Sequence, residues 1–370
     1  MKRATKSTKL PSNTKSSASQ SMDLVEIDHQ LLQLLTARVN TTRALAESIA
    51  KPDLMDQLWQ QQNSAAQRAI ESAHRSGLST QSLSDWLRHT VSLCFHEAHV
   101  HNPIAYLGPI YSYSYLAAVK EFGLSATLVP VATISAVFDE ISRGQATMGV
   151  VPIENSTDGR VVDTLGMFAR MPVQICGEVL LPIHHCLLAR CPRGEITEIY
   201  SKPQAMSQCR SWLSQHVPDA RLIEISSTAA AARLAADKPG AAAVASREAG
   251  IHHGLEIVDE NIEDNPNNVT RFALIGSAQR AKTGTDKTSV MFQLRHQPGA
   301  LAQAMVIFQK AKINLTWIES FPLVNHPNEY LFFVELDGHN QSKNVAAALA
   351  QLGKQTLRME VLGSYPKANM

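Results

Sequence analysis

The 370-residue chain has no run of eighteen apolar residues, so no segment reads as a membrane-spanning helix. Its five cysteines are odd in number and follow no spacing, which argues against a disulfide framework and for free thiols in a reducing, cytoplasmic setting. No G-x-G-x-x-G and no P-loop follows any predicted strand; a nucleotide is disfavoured and no redox cofactor is called for. His184, His185 and Cys186 look metal-like, but adjacent strand side chains point to opposite faces and no second ligand pair stands at zinc spacing. That stretch reads as a buried strand with a local role for one histidine and no metal. Acids are missing from residues 1–20, which hold Lys2, Arg3, Lys6, Lys9 and Lys15. This Ser/Lys/Thr-rich opening lacks core-forming residues and an apolar h-region, so it is expected to be disordered and not a secretory signal. The remainder is mildly acidic, which gives nucleic acid no support as a partner.

What is present divides into three textures. The hydrophobic content of 44% is enough for two or three separately cored domains. From Met22 to about His99, Gly and Pro are scarce, and Leu24, Ile27, Leu31, Leu34 and Leu35 recur at helical spacing. Further helices are expected over about Leu54–Ser76 and Ser82–His99. Three such helices bury little surface alone, so a partner chain or domain is expected against them. From Ile104, short β-branched runs ("IAYLG", "TLVPV", "TMGVVPI", "HHCLLA", "EIYS", "RLIEIS", "AAAVAS", "RFALIG") alternate with Ala-rich helices. The rhythm predicts an open, mostly parallel α/β sheet that binds ligands beyond the carboxyl ends of its strands. From about Lys287 the order is β-α-β-β-α-β in some eighty residues, a ferredoxin-like split unit, with 275–287 as linker.

Four Ser/Thr/Asn-rich loops sit at predicted strand ends: "YSYS" (111–114), "ENSTDG" (154–159), "SKPQ" (201–204) and "SST" (226–228). Any one of them is explained by helix capping. Converging on one sheet edge, they would present helix N-termini to a small polyanion, with Arg271 adding bidentate carboxylate recognition. The expected ligand is a compact carboxylated metabolite.

"GVVPIENS", "IHHCLLA", "SKPQAMSQC" and "DNPNNVTRF" occur in the order of prephenate dehydratase motifs, and "PGAL" and "ESFP" resemble the phenylalanine-sensing motifs of an attached ACT domain. Over roughly residues 22–365 the chain thus resembles the bacterial bifunctional P-proteins, in which chorismate mutase is joined to prephenate dehydratase and a C-terminal ACT domain. The resemblance implies a multi-domain chain. Its parts are a basic tail (1–20), an all-α chorismate-mutase-like region (21–102), a two-lobed α/β periplasmic-binding-protein-like dehydratase domain (103–279) and a ferredoxin-like α+β ACT domain (287–366).

By the same resemblance, Thr270 is the principal catalytic group, joined by Asn155, Ser201 and Gln208. Prephenate loses water and carbon dioxide to become phenylpyruvate, in phenylalanine biosynthesis. Aromatisation favours reaction, and the barrier lies in expelling hydroxide, so a positioned donor to the ring hydroxyl is what the protein must supply. Arg271, Ser112, Ser114 and Ser156 are expected to contact substrate. Glu154 is a candidate acid, with an ion-pair or solvent-facing role the equal alternative. No cofactor is implied.

Three departures from the family pattern stand out. Tyr111 replaces a glycine of the first loop, which puts a positive φ there in question. In the helical region Arg38 is the one matching cation: Ser21 falls where an arginine belongs, Ile49 or its neighbours where a lysine belongs, and "MDQLWQQQ" has no arginine. A site that clamps a dianion with cations is thereby degraded, and mutase activity is expected to be weak or absent. In the ACT-like region, Gly299, Ala300 and Leu301 open a helix suited to an amino-acid carboxylate, and Glu319 and Ser320 carry the second motif, with Phe321 in place of arginine. The effector is then L-phenylalanine and the assembly a homodimer or homotetramer. Arogenate dehydratase is the alternative enzyme, and a non-catalytic ligand sensor on the same folds the alternative class.

Overall fold

The computed structural model describes residues 23–49, 54–73, 77–277, 280–323 and 329–368. The basic tail, Ser21 and the neighbours that follow Ile49 (50–53) lie outside them. Three helices open the described chain, α1 (Leu24–Ser48), α2 (Leu54–Ala73) and α3 (Thr80–Glu97). They do not form a separate core. Leu58, Trp59, Val91 and Phe95 share one apolar cluster with Ile104, Tyr106 and Phe122 of the next domain. The Trp59 indole meets the Phe95 and Phe122 rings edge-on, at 5.9 and 5.5 Å.

The central region holds two sheets. The first contains β1 (Pro103–Leu107), β2 (Thr127–Val131), β3 (Met148–Asn155), β4 (Gly159–Arg160), β5 (Gln174–Pro182) and β11 (Val269–Gly276), in the order β2-β1-β3-β11-β5, with β4 pairing β3. The second runs β10-β6-β9-β7-β8, from β6 (Cys186–Ala189), β7 (Glu198–Ser201), β8 (Arg221–Glu224), β9 (Ala241–Ala245) and β10 (Glu256–Asp259). The expected mostly parallel sheet is corrected to two mixed ones. β11 is antiparallel to both β3 and β5, and β6 is antiparallel to both β9 and β10. The cause is the path: the chain leaves the first lobe after Pro182, builds the second, and returns through β11. A returning strand inserted mid-sheet need not run with its neighbours.

Packed on these sheets are α4 (Tyr113–Phe122), α5 (Ile134–Ser142) and α6 (Val162–Phe168) in the first lobe, and α7 (Pro203–Gln208), α8 (Arg210–His216), α9 (Thr228–Ala236) and α10 (Arg247–His252) in the second. Ser112, Thr133, Ser227 and Ser246 each accept the backbone N–H three residues on, satisfying donors that the first helical turn leaves orphaned.

The last region is β12 (Asp286–Gln293), α11 (Ala300–Lys310), β13 (Leu315–Pro322), β14 (Tyr330–Asp337), α12 (Lys343–Gly353) and β15 (Arg358–Pro366). Its sheet, ordered β13-β14-β12-β15, is antiparallel throughout, the split β-α-β-β-α-β arrangement read from the sequence. It shares a core with the first lobe: Met291, Leu331, Phe333 and Tyr365 cluster with Phe138, Leu165 and Phe168. β15 passes so close to β5 that a Cβ on Gly363 would lie 2.0 Å from the Ile175 carbonyl oxygen. Only glycine fits there.

Candidate active site

β3 and β11 lie side by side with Asn155 opposite Thr270. The Asn155 Oδ1 accepts the backbone N–H of Thr157 and Asp158, at 2.9 and 3.1 Å, so the amide cannot be the other way round. Its Nδ2 therefore donates to Thr270 Oγ1 at 2.8 Å and to Asn268 Oδ1 at 2.9 Å. The Thr270 oxygen is thus an acceptor from the protein, and its own hydrogen remains for another partner. Asn268, buried, donates through Nδ2 to Gln208 Oε1 at 3.2 Å. Gln208 stands at the end of α7 in the second lobe and returns a bond to the first, its Nε2 donating to Asp158 Oδ2 at 2.7 Å. Gln204 donates to the same oxygen. The two lobes are therefore stitched across the crevice by amides that converge on Thr270.

The expected site residues divide. Thr270, Asn155 and Gln208 belong to one network. Ser201 is fully buried and gives its hydroxyl hydrogen to the Val244 carbonyl at 2.6 Å, so it joins none of the other three by a described hydrogen bond. Ser156 acts as a strut: its Oγ accepts from Val269 N at 2.9 Å and lies 3.5 Å from the Asn268 amide oxygen. Ser112 caps α4 and donates to the Leu107 carbonyl at 3.0 Å. Ser114 is buried in the first turn of that helix. The "SST" loop caps α9 through Ser227 and follows β8, the parallel neighbour of β7, so it shares an edge of the second sheet with "SKPQ", while "YSYS" and "ENSTDG" belong to the first.

Arg271 is turned away from the crevice, and Glu154 takes the ion-pair role expected as its alternative. Side chains alternate along a strand, so Thr270 facing the crevice turns its neighbour away. The buried Arg271 guanidinium donates to Glu154 at 3.0 Å, to Glu178 at 3.3 Å and to Glu335 of β14. Lys287 adds a 2.9 Å bond to Glu178, and the Trp317 ring lies 5.2 Å from the guanidinium carbon. Burial works against the cation, but Glu335 beside it outweighs that, so the guanidinium stays charged. This cluster pins β11 to the C-terminal domain.

Tyr111 keeps a positive φ of 64° without being glycine, a conformation costing about 1–3 kcal/mol. Its ring packs at 4.1 Å on His252 and 5.1 Å on Tyr115, and its carbonyl accepts from Ser246, so the residue reaches into the second lobe. The two adjacent histidines point apart, but in the connection between β5 and β6, which corrects the expected strand there to Cys186–Ala189 alone. His184 is exposed and binds Glu263 at 2.7 Å, while His185 is buried, with Nε2 3.0 Å from Gln208 Oε1 and Nδ1 3.0 Å from the Tyr113 hydroxyl.

In the C-terminal domain Gly299 takes φ 82° as N-cap of α11, and Ala300 and Leu301 form its first turn. Glu319 and Ser320 lie on the edge strand β13, with Glu319 bound at 2.8 Å to Arg160 of β4. Phe321, where the family pattern has arginine, packs against Gly166 of α6 and lies 6.2 Å from Phe333. In the helical region a cleft of about 960 Å³ includes Arg38, Thr42, Gln62, Arg68 and Glu71 in its lining. Arg38 donates to Gln62 there at 2.6 Å.

Asp158, Asn268 and Tyr113 were not singled out by sequence reasoning. Each lies inside a motif already recognised, and what revealed them is the hydrogen-bond direction, which a sequence does not carry.

The family model for prephenate dehydratase matches residues 104–280. The bifunctional chorismate mutase/prephenate dehydratase of Aquifex aeolicus is 36% identical over 350 residues, covering 94% of this chain and 96% of that protein. The structure of prephenate dehydratase from Arthrobacter aurescens in complex with L-Phe matches with a TM-score of 0.66 at 35% identity, over 71% of this chain and 89% of that one. A structure described as GqqA, a novel type of quorum-quenching acylase, has the same TM-score at 28% identity, over 72% of this chain and 98% of that one. With relatives this similar along nearly their whole length, the chain belongs to the bifunctional chorismate mutase/prephenate dehydratase family.

Proposed function

We propose that the chain is a prephenate dehydratase in which Thr270 donates its hydroxyl hydrogen to the departing ring hydroxyl of prephenate. The observation that carries the role is the 2.8 Å bond from Asn155 Nδ2 to Thr270 Oγ1, which leaves the threonine hydrogen uncommitted to Asn155. One proton from solvent, passed through the hydrogen bond at Thr270 so that the threonine ends as a hydroxyl, completes the departing water, while the ring carboxylate leaves as carbon dioxide and its bonding pair enters the aromatic ring. A carboxylate clamped by a guanidinium is stabilised as an anion and resists that loss. Arg271 turned into its own carboxylate cluster suits the chemistry, because the network then offers amides and hydroxyls with Asp158 as its charged member. Gln208 and Asn268 orient the substrate, and Ser201, buried behind them, supports β9 through the Val244 carbonyl.

An acylase would need a nucleophile activated by a base. The Thr270, Ser156 and Ser201 hydroxyls bond instead to Asn155, to the backbone at 269 and to the backbone at 244. The C-terminal unit is an ACT domain that binds L-phenylalanine through Gly299, Ala300, Leu301, Glu319 and Ser320. The assembly is a homodimer or homotetramer. Mutase activity is weak or absent, since among the described residues Arg38 and Arg68 are the cations lining a cleft that Glu71 also lines. The test is turnover of prephenate, arogenate and chorismate by the full chain. Fast phenylpyruvate formation from prephenate is expected, with chorismate scarcely consumed; a preference for arogenate or rapid chorismate rearrangement contradicts these assignments.

A further inference from the structure

Building on the roles given to Thr270, Asn155 and Gln208, we propose that His185 is a positioning residue for the dehydration. It holds the Gln208 amide in the orientation that leaves an N–H for a substrate oxygen, and Tyr113 braces the imidazole that does so.

The deduction begins at two groups whose roles cannot be exchanged. The backbone nitrogens of Thr157 and Asp158 are donors, so the Asn155 atom 2.9 and 3.1 Å from them is its oxygen. The Asn155 nitrogen then donates to Asn268 Oδ1 at 2.9 Å, which turns the Asn268 nitrogen towards Gln208 at 3.2 Å. The Gln208 atom it meets is therefore Oε1, and the Gln208 nitrogen bonds the Asp158 carboxylate at 2.7 Å. His185 Nε2 lies 3.0 Å from that same Oε1, which has no hydrogen to give. Nε2 must carry the proton.

Burial disfavours the charged imidazole and lowers its pKa from the ordinary 6.5, so Nδ1 is bare and can only accept. The Tyr113 hydroxyl lies 3.0 Å from Nδ1, with its single hydrogen directed mainly to the His184 carbonyl at 2.7 Å and at most shared with Nδ1, so it braces the ring while Gln208 Oε1 sets the tautomer. The Tyr113 ring meets the imidazole edge-on at 5.5 Å. Glu263 completes the surround from the returning segment, its Oε2 accepting the His185 backbone N–H at 2.9 Å and its Oε1 bound to His184. Tyr113 comes from the first lobe, His185 and Gln208 from the second, and Asn268 from the return strand's approach. Without the imidazole, Gln208 Oε1 keeps Asn268 as its described donor and the amide swings.

The test compares steady-state kinetics of the full chain with His185→Leu, His185→Gln and Tyr113→Phe, with Thr270→Val as the reference for the site itself. His185→Leu lowers kcat roughly ten- to a hundredfold, the scale of a small misplacement at a reacting centre. His185→Gln keeps an N–H within reach of Gln208 and recovers most of that loss. A packing role alone would penalise both alike. Tyr113→Phe keeps the ring and removes the hydroxyl, and it lowers kcat several-fold, which decides the matter even where His185→Leu does not fold. Equal kcat for His185→Gln and folded His185→Leu, or an unchanged kcat for Tyr113→Phe, overturns the inference. Should those variants be indifferent while Thr270→Val is inactive, the positioning role alone is lost. Parental activity in Thr270→Val removes the site and this inference together.

Discussion

Asn155 has its amide oxygen fixed by two backbone donors, so its nitrogen is a committed donor to Thr270. Removing it leaves the threonine hydroxyl free to rotate and to reverse its polarity. Asn155→Ala is expected to lower kcat by roughly a hundredfold or more, on the scale of a lost transition-state donor. Combined with Thr270→Val, it should cost little beyond the larger single loss, because residues acting as a unit are strongly non-additive. Fully multiplicative losses would separate the two residues. His185 makes a stability prediction with a definite sign. Its folded pKa lies below the ordinary 6.5, so the unfolded chain takes up the proton first as pH falls. Unfolding free energy should therefore drop as pH falls below about 6.5 and flatten beneath the folded pKa; urea titrations of the parent and His185→Gln should show this component in the parent alone.

At the scale of elements, β11 joins chemistry to architecture. Thr270 faces the crevice and Arg271, one residue on, faces the C-terminal sheet. Arg271→Met leaves Glu154, Glu178 and Glu335 short of a cation and should cost about 3–5 kcal/mol by urea unfolding. The folded fraction should keep its KM for prephenate; a large rise in KM at parental stability would put the guanidinium on substrate after all. His184 and His185, read as strand residues, lie in the connection before β6. The alternation that separates Thr270 from Arg271 is available in the sequence. It was not applied at 270–271, because a charged residue beside a catalytic one invites a ligand. Asn155, Gln208 and Thr270 were legible because motif and chemistry coincide in them. β5 escaped reading because Gly177 and Pro182 interrupt its apolar run. The antiparallel insertion of β11 depends on which strands pair across more than a hundred residues, and no local pattern encodes that.

Over the whole molecule, the three textures of the sequence do not become three independent bodies. The helical region and the C-terminal unit each share an apolar cluster with the first lobe. The second lobe keeps clusters of its own, and Tyr111 reaches one of them from the first. The β3–β4 hairpin that carries Asn155 and Asp158 is also held by Arg160 to Glu319, so an effector bound at the C-terminal unit has a short route to the crevice. L-phenylalanine is accordingly expected to lower the rate of phenylpyruvate formation by favouring one arrangement of these bodies over another. Unchanged rates together with no heat of binding by calorimetry would remove the regulatory role.

The most direct test is the rate of phenylpyruvate formation from prephenate by the parent, Thr270→Ser and Thr270→Val. A donor hydroxyl at residue 270 predicts that serine retains substantial activity and that valine, nearly the same shape without the hydroxyl, loses roughly 10²–10⁴-fold in kcat. Valine turning over prephenate at the parental rate would contradict the account.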